Sequence, residues 1–222
     1  MGNLLAEHLD KFPIISKSEF GNVSTWADSV RHQRPWSAQH HYIDIMECNS
    51  TNLIEYCKED CIYTAILNYT NDLHTNYNYM TDNERIESLK FLLHFTQDLF
   101  QPMHVYGIYN GGNRYHIYLK YYNELVQTNL HSLWDNYIPM KYIDEIKDKK
   151  LLNLTNENFQ TMRDVQEELE NVIYTMLNTI CGKPLAHVIS FLAYYNEQEM
   201  QRIFEMYIRF ATKIYNYVVL SI

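Results

Sequence analysis

Glycine and proline are scarce in this chain: 6 and 5 among 222 residues. So few turn formers argue against a sandwich or barrel of many short strands and favour helices. No apolar run reaches the ~20 residues needed to span a bilayer. Basic side chains are also in deficit, with 18 Lys and Arg against 27 Asp and Glu, a net charge of −9. That balance argues against a broad basic groove for nucleic acid. It leaves room for a phosphate-bearing substrate, because a bound cation is not in the formal count. The first residues do not read as a signal peptide: MGNLLAEHLDKF is charged and its apolar run is short. The expectation is that either the chain is not secreted or its true beginning is absent from this sequence.

Cysteine is sparse, and the 4 present are compatible with two disulfides in any of three connectivities. Sequons at Asn22, Asn49, Asn68 and Asn153 add weak support for a secretory route. What is abundant is apolar surface, 46% of residues, enough for one substantial core. One domain over residues 1–222 is expected, mainly α-helical with one small β-hairpin.

The pattern places a short amphipathic helix over residues 1–12, ending before Pro13. Ser24 or Thr25 is positioned to cap a helix through WADSVR, and residues 46–58 read as a loop. Helical spacing returns from Asp60 to Tyr79, and again from Asn83 to Phe100 behind Thr81 or Asp82 as cap. RYHIYLKYYNELVQ, after Gly112, reads as the hairpin. NLHSLWDNYI, Asn156–Cys181 and Glu197–Leu220 read as helices.

The densest chemistry lies in FLLHFTQDLFQPMHVYGIYNGGN, Phe91 to Asn113. His94 and Asp98 are four apart and share a helix face. Pro102 stops that helix and delivers His104 beyond the bend, while Gly111 and Gly112 permit a tight turn. His131 and Asp135 repeat the four-residue spacing. Asp28 and His41 lie upstream on elements with an apolar side. Any one of these residues alone fits a core or surface role better than a ligand role. Together, the seven His and Asp groups exceed a tetrahedral structural site and suffice for a multinuclear one, in which Asp98 could bridge two ions. Donors of this kind favour zinc over magnesium or calcium. Asp28 and Arg31 are spaced to form a helix-surface ion pair. His8, His32, His40, His74, His116 and His187 lack informative spacing and read as structural or solvated.

WAD at Trp26–Asp28, HYID at His41–Asp44, FLLHFTQDLFQPMH, GGN at Gly111–Asn113 and NLHSLWD at Asn129–Asp135 form an ordered set. In this set the chain resembles the class I zinc nucleases, the S-one/P-one family. The resemblance implies the helical fold shared with zinc phospholipase C and a three-zinc site. By motif, Asp28, His41, His94 and Asp98 hold one zinc, and His104, His131 and Asp135 a second. Asp98 bridges to a third and, with Arg31, serves catalysis. Arg31 stabilises charge on the phosphate. Tyr42 stacks on a nucleobase and Asp44 hydrogen-bonds it, with Asn110 and Asn113 on the opposite wall. The implied disulfides are Cys48–Cys181 and Cys57–Cys61.

The implied reaction is cleavage of single-stranded DNA or RNA to 5′-phosphorylated nucleotides, with 3′-nucleotidase action. The implied setting is secreted or lysosome-like, and no protein partner is expected. In the family the third zinc is held by an N-terminal Trp-Gly start and a nearby His. Here Met1-Gly2-Asn3 stands only 27 residues before Asp28. The expectation is therefore two complete zinc sites and a third lost or weak. A phospholipase C-like hydrolase and an inactive zinc-binding relic are the alternatives.

Overall fold

The computed structural model describes residues 23, 25–58, 60–121, 123–146, 157–183, 185, 186, 188–190 and 194–219. The expected 1–12 helix and the Ser24 cap lie outside them. Helix α1, Trp26–Val30, is followed by a 3-10 helix over Pro35–His41. Next come α2, Leu53–Cys57, α3, Ile62–Thr75, and α4, Asp82–Asp98. The last helices are α5, Ile138–Ile146, α6, Met162–Cys181, and α7, Glu197–Val219.

Local sequence fixes most of the ends. Thr81 opens α4 with a reciprocal cap: its Oγ1 accepts from the Glu84 amide at 3.4 Å, and Glu84 Oε2 accepts from the Thr81 amide at 2.7 Å. Thr161 and Asp164 do the same for α6, so that helix starts at Met162 rather than near Asn156. Helix α3 ends at Thr75, and a separate 3-10 turn, Tyr77–Tyr79, follows. The stretch expected to be loop between 46 and 58 contains α2. Five residues are too few for helical spacing to register, and Lys58 ends the helix at φ +55°.

Helices α3, α4, α6 and α7 share one core, where Phe91, Phe95, Leu99, Ile66, Leu73, Ile173 and Phe210 are fully or nearly fully buried. His74 reads as structural: its ring stacks on Tyr217 at 3.9 Å, and its Nδ1 lies 3.1 Å from the Tyr217 carbonyl. His40 is buried against Asp60 at 2.5 Å.

The hairpin is β1, His116–Tyr121, paired antiparallel with β2, Glu124–Asn129, in a register from His116 opposite Asn129 to Tyr121 opposite Glu124. A third strand, β3, Val188–Ser190, extends it by pairing parallel to β1. Three residues 67 positions away from β1 carry no short-range signal, so the sequence suggested a hairpin only. After β2 the chain turns directly into Leu130–Ser132, then a π-helical stretch, Leu133–Tyr137, then α5.

Two disulfides tie the periphery. Cys48 joins Cys181 across 133 residues, and Cys57 joins Cys61 around the end of α2. The first pins the segment after Ile45 to the end of α6. A Cys48→Ser/Cys181→Ser variant is expected to lose about 2–5 kcal/mol of stability, as for large native loops. Urea unfolding checks this, and an unchanged midpoint would contradict it.

Candidate metal centre and substrate cleft

A short backbone ladder assembles the site. The Ile43 amide donates to the His104 carbonyl at 2.8 Å, the Ile45 amide to Val105 at 3.1 Å, and the Gly107 amide to Ile45 at 3.0 Å. Residues 42–45 are therefore extended beside 104–107. Alternation follows: Ile43 and Ile45 are buried, while Tyr42 is half-buried and Asp44 exposed. The ladder sets His41, Tyr42 and Asp44 alongside His104.

Beneath them, α4 carries His94 and Asp98 on one face, both lying toward His41. Asp98 Oδ2 is 2.8 Å from His41 Nδ1 and 3.0 Å from His94 Nε2, and those two nitrogens are 3.1 Å apart. Asp28 completes this group from α1, with its oxygens 3.7 Å from each imidazole nitrogen. The His41 ring meets Phe95 edge-on at 5.0 Å, so apolar packing fixes its direction.

The second group lies on the other side of Asp98. Oδ1 of Asp98 is 3.5 Å from His104 Nδ1, and His104 Nε2 is 4.0 Å from Asp135 Oδ1. His131 Nε2 is 3.1 Å from Asp135 Oδ2, and the His104 and His131 rings stack at 5.1 Å. Each group offers three donors within 4.8 Å of one another: Asp28, His41 and His94 in one, and His104, His131 and Asp135 in the other.

These donors fit a metal ion. Tetrahedral zinc with bonds of ~2.0–2.2 Å puts neighbouring ligand atoms roughly 3.3–3.6 Å apart. The spacings here, 2.8–3.7 Å and 3.1–4.0 Å, bracket that value. His104 Nδ1 is buried and has no hydrogen-bond partner, although a carboxylate stands beside it. A buried orphan nitrogen of this kind is costly unless something fills the gap.

The loop before β1 forms the far wall. Tyr109, Asn110, Gly111 and Gly112 all have positive φ, between +55° and +78°. The two glycines adopt this at no steric cost, whereas Tyr109 and Asn110 do not. Gly pairs signalled a turn in the sequence, but its extension back to Tyr109 had no signal. The turn aims the Gly111 carbonyl at His131 Nδ1, 2.7 Å away. That bond places the proton on Nδ1 and leaves Nε2 free to act as a ligand.

The two groups open on one cleft of about 400 Å³. Arg31, Tyr42 and Asp44 line one side, Asn110 and Asn113 the other, and Asp98 lies between them. Of the sequence-selected residues only His94 is not part of the lining; it lies behind, buried. Asp28 and Arg31 do not form the expected ion pair, since both turn to the cleft. Arg31 has no ion-pair partner among the described residues, whereas neighbouring Arg34 is taken by Glu87 at 2.5 Å. On the opposite side of Asp98 and Asp135 is an aromatic groove of about 280 Å³, lined by Phe100, Trp134, Tyr142 and Phe204. No local pattern foreshadows it, because its walls come from three separate helices.

Asp44 keeps access to solvent, yet the protein packed around its carboxyl displaces enough water to raise it above its ordinary value, partly offset by the charge of Lys58. Burial also works against ionised Asp98, but the charge of His104 and hydrogen bonds with His41 and His94 prevail, holding it well below the carboxylate range. Asp135 is lowered likewise: burial opposes, and the His131 hydrogen bond and charge outweigh it.

The fold and the paired His/Asp groups define a mainly helical protein with two adjoining donor groups able to hold metal ions. The family profile described as S1/P1 Nuclease matches residues 3–217, and the chain belongs to that family. It is 33% identical over 135 residues to nuclease P1 of Penicillium citrinum, covering 58% of this chain and 48% of that one. Nuclease S1 of Aspergillus oryzae is 34% identical over 131 residues, 56% of this chain and 43% of its own. Endonuclease 4 of Arabidopsis thaliana is 31% identical over 170 residues, 65% and 54% respectively. The chain spans about half the length of these relatives.

His131 gives the second group a pH signature. Burial disfavours its charge, but the hydrogen bond and charge of Asp135 and the Gly111 carbonyl prevail and raise its pKa. His104 goes the other way, lowered by burial despite Asp98 and Asp135. His131 thus keeps its second proton to higher pH than a free imidazole, ~6.5. A cation can enter only when that proton leaves, so affinity must fall as pH drops through this range. Calorimetric zinc titrations at pH 7 in buffers of different ionisation enthalpy should register proton release. Binding that releases none and does not vary with pH would contradict this.

Proposed function

We propose that this chain is a zinc-dependent phosphodiesterase that hydrolyses single-stranded DNA or RNA to 5′-phosphorylated nucleotides and also removes 3′-phosphates from nucleotides. The observation that carries this reading is the convergence of both His/Asp groups, Arg31 and an aromatic-carboxylate pair on a single cleft. Asp28, His41, His94 and Asp98 would hold one ion, and His104, His131 and Asp135 the other. Zinc bound there supplies Lewis acidity toward a phosphoryl oxygen and a water made acidic near neutral pH.

The chain's own groups do the rest. Arg31, with no ion-pair partner among the described residues, presents its guanidinium to charge that builds on the phosphate. Tyr42 offers a half-buried ring on which a base can stack, and Asp44, two residues on and facing the same side, accepts from a base N–H. Asn110 on the left-handed turn and Asn113 just after it close the pocket with amide groups. A base must leave its duplex partner to enter, so single strands are the matching substrate. The acidic chain, at −9, compensates by concentrating cations in the cleft rather than by basic side chains.

Two disulfides suit an oxidising compartment, and the described sequons, Asn49 and Asn68, are exposed. A secretory or lysosome-like location is proposed on that basis.

The test is digestion of a single-stranded oligonucleotide with zinc, with chelator, and after zinc is restored. Cleavage is expected to stop and return, and Arg31→Ala to reduce kcat about 10²–10³-fold. Equal cleavage with and without chelator would overturn the zinc reading. Release of phosphorylcholine from a phospholipid, with the oligonucleotide intact, would overturn the substrate.

A further inference from the structure

Between Asp98 and His104 stands Gln101, a buried residue that touches no part of the cleft surface. Its backbone amide donates to the Asp98 carbonyl at 3.0 Å, and its own carbonyl accepts from the His104 amide at 2.9 Å. Its side chain does two further things. Oε1 accepts from the Met103 amide at 2.5 Å, and Nε2 donates to Asp135 Oδ1 at 2.8 Å. A single residue thus connects three of the proposed ligand residues, Asp98, His104 and Asp135.

We propose that Gln101 is a positioning residue that sets the Asp135 carboxylate for metal binding, and this rests on the metal reading above. Asp135 sits on the π-helical stretch and is the one carboxylate of its group and the most exposed of the three residues, with 36% of its side chain accessible. A free carboxylate there samples several rotamers. The Gln101 amide holds Oδ1 and leaves Oδ2 facing His131. The amide cannot turn over, because its oxygen is already committed to the Met103 amide. Outer hydrogen bonds of this kind raise metal affinity by orienting the ligand before the ion arrives.

This chemistry is specific to an amide. Gln101→Glu keeps the oxygen that accepts from Met103, so the turn survives, but it faces Asp135 with a second acceptor. Gln101→Met removes both bonds at similar volume. Gln97→Met is the control: Gln97 is one turn earlier on α4 and donates only to the Leu93 carbonyl at 3.3 Å.

The experiment measures zinc stoichiometry and affinity by competition with a chromophoric chelator. It also records the visible spectrum of the cobalt-substituted full chain and the rise in Tm on adding zinc. The unsubstituted chain should bind two equivalents. Gln101→Glu and Gln101→Met should weaken one equivalent by ~10–100-fold, alter one component of the cobalt spectrum, and shrink the zinc-induced rise in Tm. The metal-free Tm of Gln101→Glu should stay near that of the unsubstituted chain. Gln97→Met should behave as unsubstituted.

If the unsubstituted chain binds no zinc, the metal reading fails. If it binds two and Gln101→Glu binds both as tightly with an unchanged spectrum, the positioning role fails. If both Gln101 variants lose the fold with and without zinc, Gln101 is structural and the proposal is overturned.

Discussion

One carboxylate joins the two halves of the site. Asp98 is largely enclosed, and its two oxygens face different partners: Oδ2 toward His41 and His94, Oδ1 toward His104. Burying that charge is expensive, and the surrounding imidazoles make it tolerable. The constraint runs outward from there. Asp98 must come from a rigid helix, so α4 is long, capped at Thr81 and packed through Phe91, Phe95 and Leu99. His41 must approach from above, so Pro35–His41 runs into the ladder with His104–Gly107. His104 must return to the same point, so the chain bends at Pro102 immediately after the helix.

The cleft wall and the two His/Asp groups share this framework. The ladder that places His41 also places Tyr42 and Asp44. The left-handed turn that places Asn110 also fixes the His131 tautomer through the Gly111 carbonyl. A change in either loop therefore reaches the metal donors without touching them. The left-handed backbone at Tyr109 and Asn110 is the strained part of this arrangement, in keeping with strain concentrated at functional loops. The 67-residue reach from β1 to β3 steadies the same hairpin from its other edge.

Much of this was visible in the sequence, for particular reasons. His94 and Asp98, and His131 and Asp135, announce themselves by four-residue spacing, which helix geometry converts directly into shared faces. Pro102 and the Gly111–Gly112 pair mark bends by chemistry intrinsic to those residues. Asp28 and His41 have no such spacing; they join the set as His and Asp groups on elements with an apolar side, and only their assignment to one particular ion comes from the resemblance. What stayed hidden depends on distant partners. Helix α2 is too short for periodicity, β3 gains its identity only by pairing, and the aromatic groove behind Asp98 draws on three helices. The link from Gln101 to Asp135 is likewise a meeting of segments 34 residues apart.

The central claim is that two adjoining clusters, sharing Asp98, each hold a zinc ion. Anomalous diffraction at the zinc edge, from crystals of the zinc-loaded chain, tests it most directly. The account predicts one peak among Asp28, His41 and His94 and another among His104, His131 and Asp135, with Asp98 beside both. Peaks elsewhere, or none at either cluster, would contradict it.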